Sequence, residues 1–444
     1  MKRYDRYKDS GVQWIGEIPE HWNMTNLGRA FTFGKGLPIT KADLTNEGIA
    51  VISYGQVHSK LNTGTSMDVA LVRHVSEHWL ETNKQNLLNK GDFAFADTSE
   101  DIEGSGNCAY NDYPDVIFAG YHIVIARPKN RNNSDYWAFL FQCKKWKSQV
   151  QSLVNGVKVY SISKTILKKA SLLIPPVTEQ NTIVDYLKDK TLKIDQYVAA
   201  RERERELLDS LKQSEIANVV TKGLNPNAPM KDSGIPWIGL IPEHWEVKKM
   251  RSIFQLAHEK TVAERTDLLS LSQYTGIRYK VDCEKTGMFE AESTIGYNVV
   301  HKGQFVMNIM LAWNGSYAVS DLDGIISPSY CIFDFKEKCD KRYFNYLLRT
   351  SMYQGIFKAN SKGLIDSRLR LYPDYFFPIA VLVPPVNEQE AISNYIDEKL
   401  AKIDSCLADL QAEIDYLKEF KQRLISDAVT GQICVAEPQK GEKS

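Results

Sequence analysis

Between Arg127 and Ala170 the sequence sets ten basic side chains (Arg127, Lys129, Arg131, Lys144, Lys145, Lys147, Lys158, Lys164, Lys168 and Lys169) against a single acid, Asp135. Cations massed in this way neutralise a polyanion, and release of its counterions makes the binding salt-dependent. Just upstream the balance inverts, because Asp92 to Asp115 holds seven carboxylates and no Lys or Arg. The whole chain sums to zero, 55 cations against 55 anions, so the segregation carries the signal rather than the total. Catalytic patterns are missing. The chain has no phosphate-cradling Gly-x-x-x-x-Gly-Lys-Ser/Thr loop, no His-Glu-x-x-His helix and no cysteines at zinc spacing. Gly104-Ser105-Gly106 lacks the strand and helix context of a dinucleotide site. A protein that binds rather than transforms is the expectation.

The elements that position these residues are set by a duplication. Lys8-Asp9-Ser10-Gly11, Trp14-Ile15-Gly16 and Ile18-Pro19-Glu20-His21-Trp22 return as Lys231-Asp232-Ser233-Gly234, Trp237-Ile238-Gly239 and Ile241-Pro242-Glu243-His244-Trp245, an offset of 223 residues. Pro175-Pro176-Val177 with Glu179-Gln180 returns as Pro384-Pro385-Val386 with Glu388-Gln389, at an offset of 209. The segments between these signatures therefore differ in length. A copied framework around unlike inserts suits constant parts that hold one geometry and variable parts that each do a separate recognition job.

After each Pro-Pro signature a long helix is expected. In the second copy Asn387 and Glu390 form a capping-box-like start, and Ile396, Leu400, Ile403, Leu407, Leu410, Ile414, Leu417 and Leu424 recur at steps of four and three. The same stripe in the first copy runs through Leu187, Ile194, Val198 and Leu208, with a charged middle of alternating sign from Arg201 to Glu206. That charged run reads either as a solvated helix face or as ion pairing with a partner helix or another subunit. A helix from about Thr178 to Lys222 would be roughly 65 Å long and needs a partner for its single seam, which its twin supplies. Gly223 and Gly431 are expected stops, and Pro226 and Pro229 mark the linker.

A chain of 444 residues with 43% hydrophobic and 25% charged side chains is expected to form more than one domain of an ordinary globular kind. Its seven scattered cysteines are expected to be reduced and mostly structural. The charged segment Met1 to Ser10 has no signal-peptide core and no stretch suits a membrane span, so a cytoplasmic location is expected. In the inserts, Gly48–Gln56, Phe93–Ala96, Val116–Ala126 and Gly303–Ile309 read as strands, whereas Tyr136–Leu153 and Lys341–Phe357 read as helices. Both inserts are α+β and are expected to share a fold.

Tyr7-Lys8-Asp9-Ser10-Gly11 leading to Trp14-Ile15-Gly16 and Ile18-Pro19-Glu20-His21-Trp22, followed by Pro-Pro-x-x-Glu-Gln at the head of a long helix, closely resembles Type I restriction-modification specificity subunits. The resemblance spans nearly the whole chain and occurs twice. It implies two target recognition domains of mixed strands and helices joined by two long helices in an antiparallel coiled coil, a pseudo-two-fold internal repeat in which each domain reads half of a split DNA site. The expected segments are 1–22 (framework motif), 23–173 (first recognition domain), 174–223 (first long helix), 224–245 (linker and repeated motif), 246–382 (second recognition domain), 383–433 (second long helix) and 434–444 (tail). It further implies docking of two methyltransferase subunits and, through them, motor-nuclease subunits. S-adenosylmethionine, ATP and Mg²⁺ would then bind those partners and not this chain. Domains about 35 to 45 Å apart would leave a spacer of several base pairs unread.

On that resemblance, Lys144, Lys145, Lys147, Lys158 and Lys164 in the first insert and Lys358, Lys362, Arg368 and Arg370 in the second are expected to track phosphates. Side chains beside turns, Gln56, His58, Asn155 and Tyr160 in the first insert and Gln273, Arg278, Asn314 and Ser316 in the second, are candidate base readers. Lys35 stands between Gly34 and Gly36, which would allow close backbone approach to DNA or form an ordinary tight turn. The acids from Asp97 to Glu103 would repel phosphate and are expected to face a partner or solvent. His21, His244 and the framework tryptophans are expected to be structural anchors. Two rivals remain: a coiled-coil scaffold that never touches DNA, and a nuclease or methyltransferase hidden in one insert.

Overall fold

The computed structural model describes residues 2–154, 156, 159–273, 275–283, 293–365 and 368–435. Two compact units emerge, one of residues 1–201 with 412–444 and one of residues 202–411. Each takes its helix pair from both halves of the sequence, because the long helices Val177–Lys222 and Val386–Val429 contribute to both units.

Within the first unit, strands in the order Cys108–Tyr110, Phe93–Ala96, Ile123–Pro128 and Phe31–Lys35 form an antiparallel four-stranded sheet. A second sheet runs Leu44–Thr45, Arg73–Val75, Ile49–Ile52, Ile117–Ala119 and Leu87–Leu88, with one parallel pairing between Ile49–Ile52 and Ile117–Ala119. Helices Ser134–Gln142 and Lys144–Gln151 pack Phe141 and Trp146 against Phe93 and Phe95, all four rings fully buried. Burying each such ring contributes roughly 1.5 to 3 kcal/mol.

The second unit repeats the plan. Its sheet runs Phe254–Ala257, Tyr330–Phe335, Phe305–Asn308 and Tyr317–Val319, the same connectivity with the same antiparallel pairings. Helices Lys341–Leu348 and Ser351–Asn360 supply Phe344 and Phe357 to a core that also holds Phe254, Phe305 and Phe333. The shared fold of the unlike inserts follows from these matching sheets.

Three sequence-based expectations need correction, the first being Gly48–Gln56, which is a strand only over Ile49–Ile52 and passes through Ser53 into the short helix Tyr54–Val57. The run Val116–Ala126 is two strands in two different sheets, parted where Gly120 donates to Ile52 and His122 takes a left-handed φ of 56°. The helical runs are likewise broken, at Cys143 and at Thr350, whose extended backbones begin new helices. An apolar pattern continues across such breaks because both halves face one core, so periodicity alone does not reveal them.

The framework copies explain the course of the long helices. In each, a short hairpin (Tyr7–Asp9 with Glu17–Pro19, and Met230–Asp232 with Leu240–Pro242) closes on an Asp-Ser-Gly turn, in which the Asp carboxylate accepts from the Gly N–H at 2.9 Å. Trp22 and Trp245 follow, fully buried. The Trp22 indole donates to Glu179 in the first turn of the first long helix, and Trp245 donates to Glu388 at 3.1 Å in the first turn of the second. His21 and His244 hold the same two carboxylates at 2.8 and 2.7 Å, as structural anchors should.

Each copy also receives the end of the other long helix. In the first unit the second helix ends at Val429, whose carbonyl accepts from the Tyr136 hydroxyl at 3.1 Å, and Gly431 turns with φ 71° against Pro19 and Trp22. In the second unit the first helix ends with the Val220 carbonyl accepting from Tyr343 at 3.1 Å and Gly223 at φ 76° beside Trp245. One clamp thus grips the start of one helix and the orphan carbonyls of its partner, which imposes antiparallel packing in each unit.

The seam residues lie along that packing. Leu187, Val198, Ile396, Leu410, Ile414 and Leu424 are buried, while Ile194, Leu208, Leu400, Ile403, Leu407 and Leu417 are half-buried. In the charged middle, Arg201 pairs with Glu413 at 3.1 Å and Arg205 donates to Gln411 at 2.5 Å, so these two arginines bridge the helices. Arg203 and Glu206 pair along their own helix on its exposed side. Both readings of the alternating run therefore hold, at different positions of the heptad.

Candidate nucleic-acid interface

In the first unit one end of the four-stranded sheet collects the polar segments. Strand Phe31–Lys35 finishes there with Lys35 opposite Val124, and strand Phe93–Ala96 finishes there with Ala96 opposite Ile123. The connection from Asp97 to Asn107, the turn at Gly120 to His122 and the residue Lys35 consequently share that end. Segment Tyr160–Ser161 joins them by pairing with Thr98–Ser99, and the Ile162 N–H donates to the Asp97 carbonyl at 2.8 Å. Helix Lys164–Lys169, capped by Ser163, starts immediately beyond.

The acidic stretch divides by role. Asp92 is fully buried between Arg127 at 3.2 Å and Arg131 at 2.8 Å, and Asp112 pins Ser66 and Met67 at 2.6 and 2.7 Å. Glu100, Asp101 and Glu103 are exposed to solvent. With Tyr54, His58, Ser99 and Asn107 they line a cavity of about 440 Å³. His58 stands in its wall, with Nε2 2.8 Å from the Thr98 carbonyl and Nδ1 3.3 Å from Asn107.

The remaining candidates of this unit fall in different places. Lys35 is exposed and Lys164 half-exposed at the sheet end. Gln56 closes a capping box by accepting from Ser53 N–H at 3.0 Å, and Tyr160 is half-buried beside the cavity loop. Lys144 and Lys145 are exposed, but they begin the helix whose preceding residue, Cys143, touches Ser426 of the second long helix at 3.5 Å. Beyond them the helix reaches the loop twice, through Lys147 donating to Asn107 and Gln151 donating to Glu103. Lys147 faces inward. Its ammonium donates to Asn107 at 2.8 Å and Gln142 at 3.2 Å, and burial holds its pKa below the ordinary lysine value, so it is a structural group rather than a free cation. Asn155 and Lys158 lie outside the described residues.

The corresponding end of the second unit's sheet carries the turn from Ile309 to Ser316, with Leu371 N–H donating to the Ile309 carbonyl at 2.9 Å as Ile162 does to Asp97. Asn314 is exposed at this turn, and Gln273 is held nearby by Arg349, which donates to its carbonyl. Ser316 is buried, so its hydroxyl is turned away from solvent. Lys358 lies over the Trp313 ring at 5.3 Å and Lys362 over Tyr375 at 4.9 Å, which stiffens both cations against aromatic faces. The Lys362 and Arg370 backbones bridge each other at 2.9 Å, and Arg368 and Arg278 are exposed. Sequence reasoning passed over Trp313 and Tyr375, and it counted Lys168 among the ten basic side chains without singling it out. Lys168 was detectable, since it falls four residues after Lys164 on the same helical face.

All seven cysteines are free, and burial pushes the Cys108 thiol up to about 12, as expected of an inert core residue. Among the described residues no helix is long and apolar enough to cross a membrane.

A family model described as the Type I restriction modification DNA specificity domain matches residues 19–197. This match, the doubled framework and the paired long helices make the chain similar to Type I restriction-modification specificity subunits. The chain is similar to the MjaVIII specificity subunit of a type I restriction enzyme from Methanocaldococcus jannaschii, 24% identical with 94% of each chain covered. In fold it is similar to a chain from a type I R-M system solved for its complex assembly and conformational transition, with a TM-score of 0.67 at 14% identity, over 94% of this chain and 99% of the other. It is likewise similar to the HsdS subunit from Thermoanaerobacter tengcongensis, with a TM-score of 0.50 at 14% identity, over 96% of this chain and all of the other.

Proposed function

We propose that the chain is the sequence-reading, non-catalytic subunit of a Type I restriction-modification enzyme, which recognises a bipartite DNA target and directs adenine methylation or ATP-dependent restriction by its partners. Residues 23–173 read one half of the target and residues 246–382 the other. The single observation that carries this reading is that two sheets of identical connectivity present unlike loops at the same end, the acidic Asp97–Asn107 in one and the largely apolar Ile309–Ser316, with Trp313 and Asn314, in the other. A constant scaffold with two different loops suits two different half-sites, because base choice depends on the side chains that meet groove edges.

In this reading Lys35, Lys164, Lys358, Lys362, Arg368 and Arg370 contact phosphates, and Gln56, His58, Tyr160, Gln273, Arg278 and Asn314 stand near base edges. Two methyltransferase subunits and, through them, motor-nuclease subunits dock on the framework. S-adenosylmethionine, ATP and Mg²⁺ belong to those partners, and the complex works in the cytoplasm. The reading is tested by co-expressing the chain with its methyltransferase and mapping methylated adenines across the host genome. A split motif with an unread spacer is expected. Methylation without sequence preference, or none that depends on this chain, would contradict it and favour a scaffold.

A further inference from the structure

Three lysines in the first unit stand together with no carboxylate among the described residues in ion-pair contact, although the exposed Glu100, Asp101 and Glu103 lie in the loop at the same end of the sheet. Lys35 ends its strand at the sheet end described above, and the Ser163 cap brings Lys164 to the same place. One turn further along the helix, the Lys168 ammonium lies 5.8 Å from the Phe33 ring, two residues before Lys35. Gly28 permits this closeness, since a Cβ there would meet Lys168 Cβ at 3.0 Å. Burial and the charges of Lys35 and Lys168 hold the Lys164 pKa below the ordinary lysine value. Among the described residues none of the three ammonium groups has a carboxylate within ion-pair distance, and Lys35 and Lys168 are exposed. Like charges held together in this way repel one another, and a polyanion laid across them removes the cost.

We infer that Lys35, Lys164 and Lys168 form one stripe that grips the phosphate backbone of DNA at this end of the first unit's sheet. The inference rests on the proposed function and adds where the duplex lies. The stripe fixes position and carries no base choice, because phosphates are alike at every base pair. It also excludes the other basic face. Lys144 and Lys145 begin the helix Lys144–Gln151, which meets the cavity loop beyond them, through Lys147 and Gln151, while Cys143 just before them touches Ser426 of the second long helix at 3.5 Å.

The test uses the full chain with its methyltransferase partner and measures affinity for a duplex carrying the mapped motif, and for an unrelated duplex, across a range of salt. For K35Q/K164Q/K168Q the slope of log affinity against log salt should fall in magnitude by about 2 to 3, at about 0.9 for each lost phosphate contact. Affinity should drop for both duplexes, and the methylated motif should stay the same. K35R/K164R/K168R should keep the parent slope, which separates lost charge from lost folding, and K144Q/K145Q should leave the slope unchanged. An unchanged slope in the glutamine triple variant, or an altered motif, would overturn the inference. If the unaltered complex showed no salt-dependent binding to either duplex, the proposed function would fall and take the stripe with it.

Discussion

At the scale of single residues, the molecule relies on carboxylates that hold indole and imidazole groups. Glu388 accepts from the buried Trp245 and from His244, and it lies against the glycine that ends the other long helix. Replacing it by alanine leaves an indole N–H without an acceptor, so Glu388→Ala should destabilise the second unit by about 1 to 3 kcal/mol. Thermal unfolding followed by tryptophan fluorescence would read this; an unchanged midpoint would show that the latch contributes nothing. His301 provides a pH-dependent contact in the same unit. Its Nε2 lies 2.9 Å from Glu259 and its Nδ1 3.7 Å from Asp323, and the bond to Glu259, with both carboxylate charges, raises its pKa above the ordinary value. A histidine raised on folding adds stability that is complete below its unfolded pKa of about 6.5 and is lost as pH climbs through the higher folded value. The denaturation midpoint of Glu259→Gln should therefore approach that of the parent just above this window and fall short of it below. Because the pair is half-exposed, the difference should stay under about 1 kcal/mol.

At the scale of elements, the two long helices were legible because a seven-residue apolar repeat has few other solutions, and the predicted span from about Thr178 to Lys222 matches Val177–Lys222. The arginines at seam positions were less so, because a charge pattern is the same whether a side chain meets water or a facing helix; only the partner's Glu413 and Gln411 decide. Lys147 shows the same limit, since its count among ten basic residues gives no hint that Asn107 and Gln142 draw it inward. Strand breaks at Gly120 and helix breaks at Cys143 and Thr350 were hidden by continuous apolar patterns. The seam itself predicts a measurable cost. Ile414 is 1% exposed, and Ile414→Ala should lose about 2 to 5 kcal/mol through lost burial and the cavity left behind, read from chemical denaturation. Gly431→Ala should also destabilise, because φ 71° disfavours any Cβ and the added methyl would stand 2.5 Å from Pro19. A loss of about 1 to 2 kcal/mol or more is expected, and an unperturbed melt would mean that the helix end relaxes freely.

At the scale of the whole molecule, the sequence repeat and the compact units do not coincide. The first unit combines residues 1–201 with 412–444, and the second is residues 202–411. Each framework copy holds the start of one long helix and the end of the other, so neither unit is built from one copy alone. The inserts are different in kind: each sheet and its loops come from one continuous stretch of chain, and their contacts to the framework recur with the same geometry. Tyr136 and Tyr343, for example, donate to the Val429 and Val220 carbonyls at 3.1 Å. That arrangement allows a reading module to be exchanged while the clamps stay intact. The most direct measurement is therefore the methylated motif before and after residues 23–173 are replaced by the corresponding insert of another specificity subunit. One half of the motif should change to the donor's and the other half should persist. Change in both halves, or in neither, would contradict two independent reading modules on one copied framework.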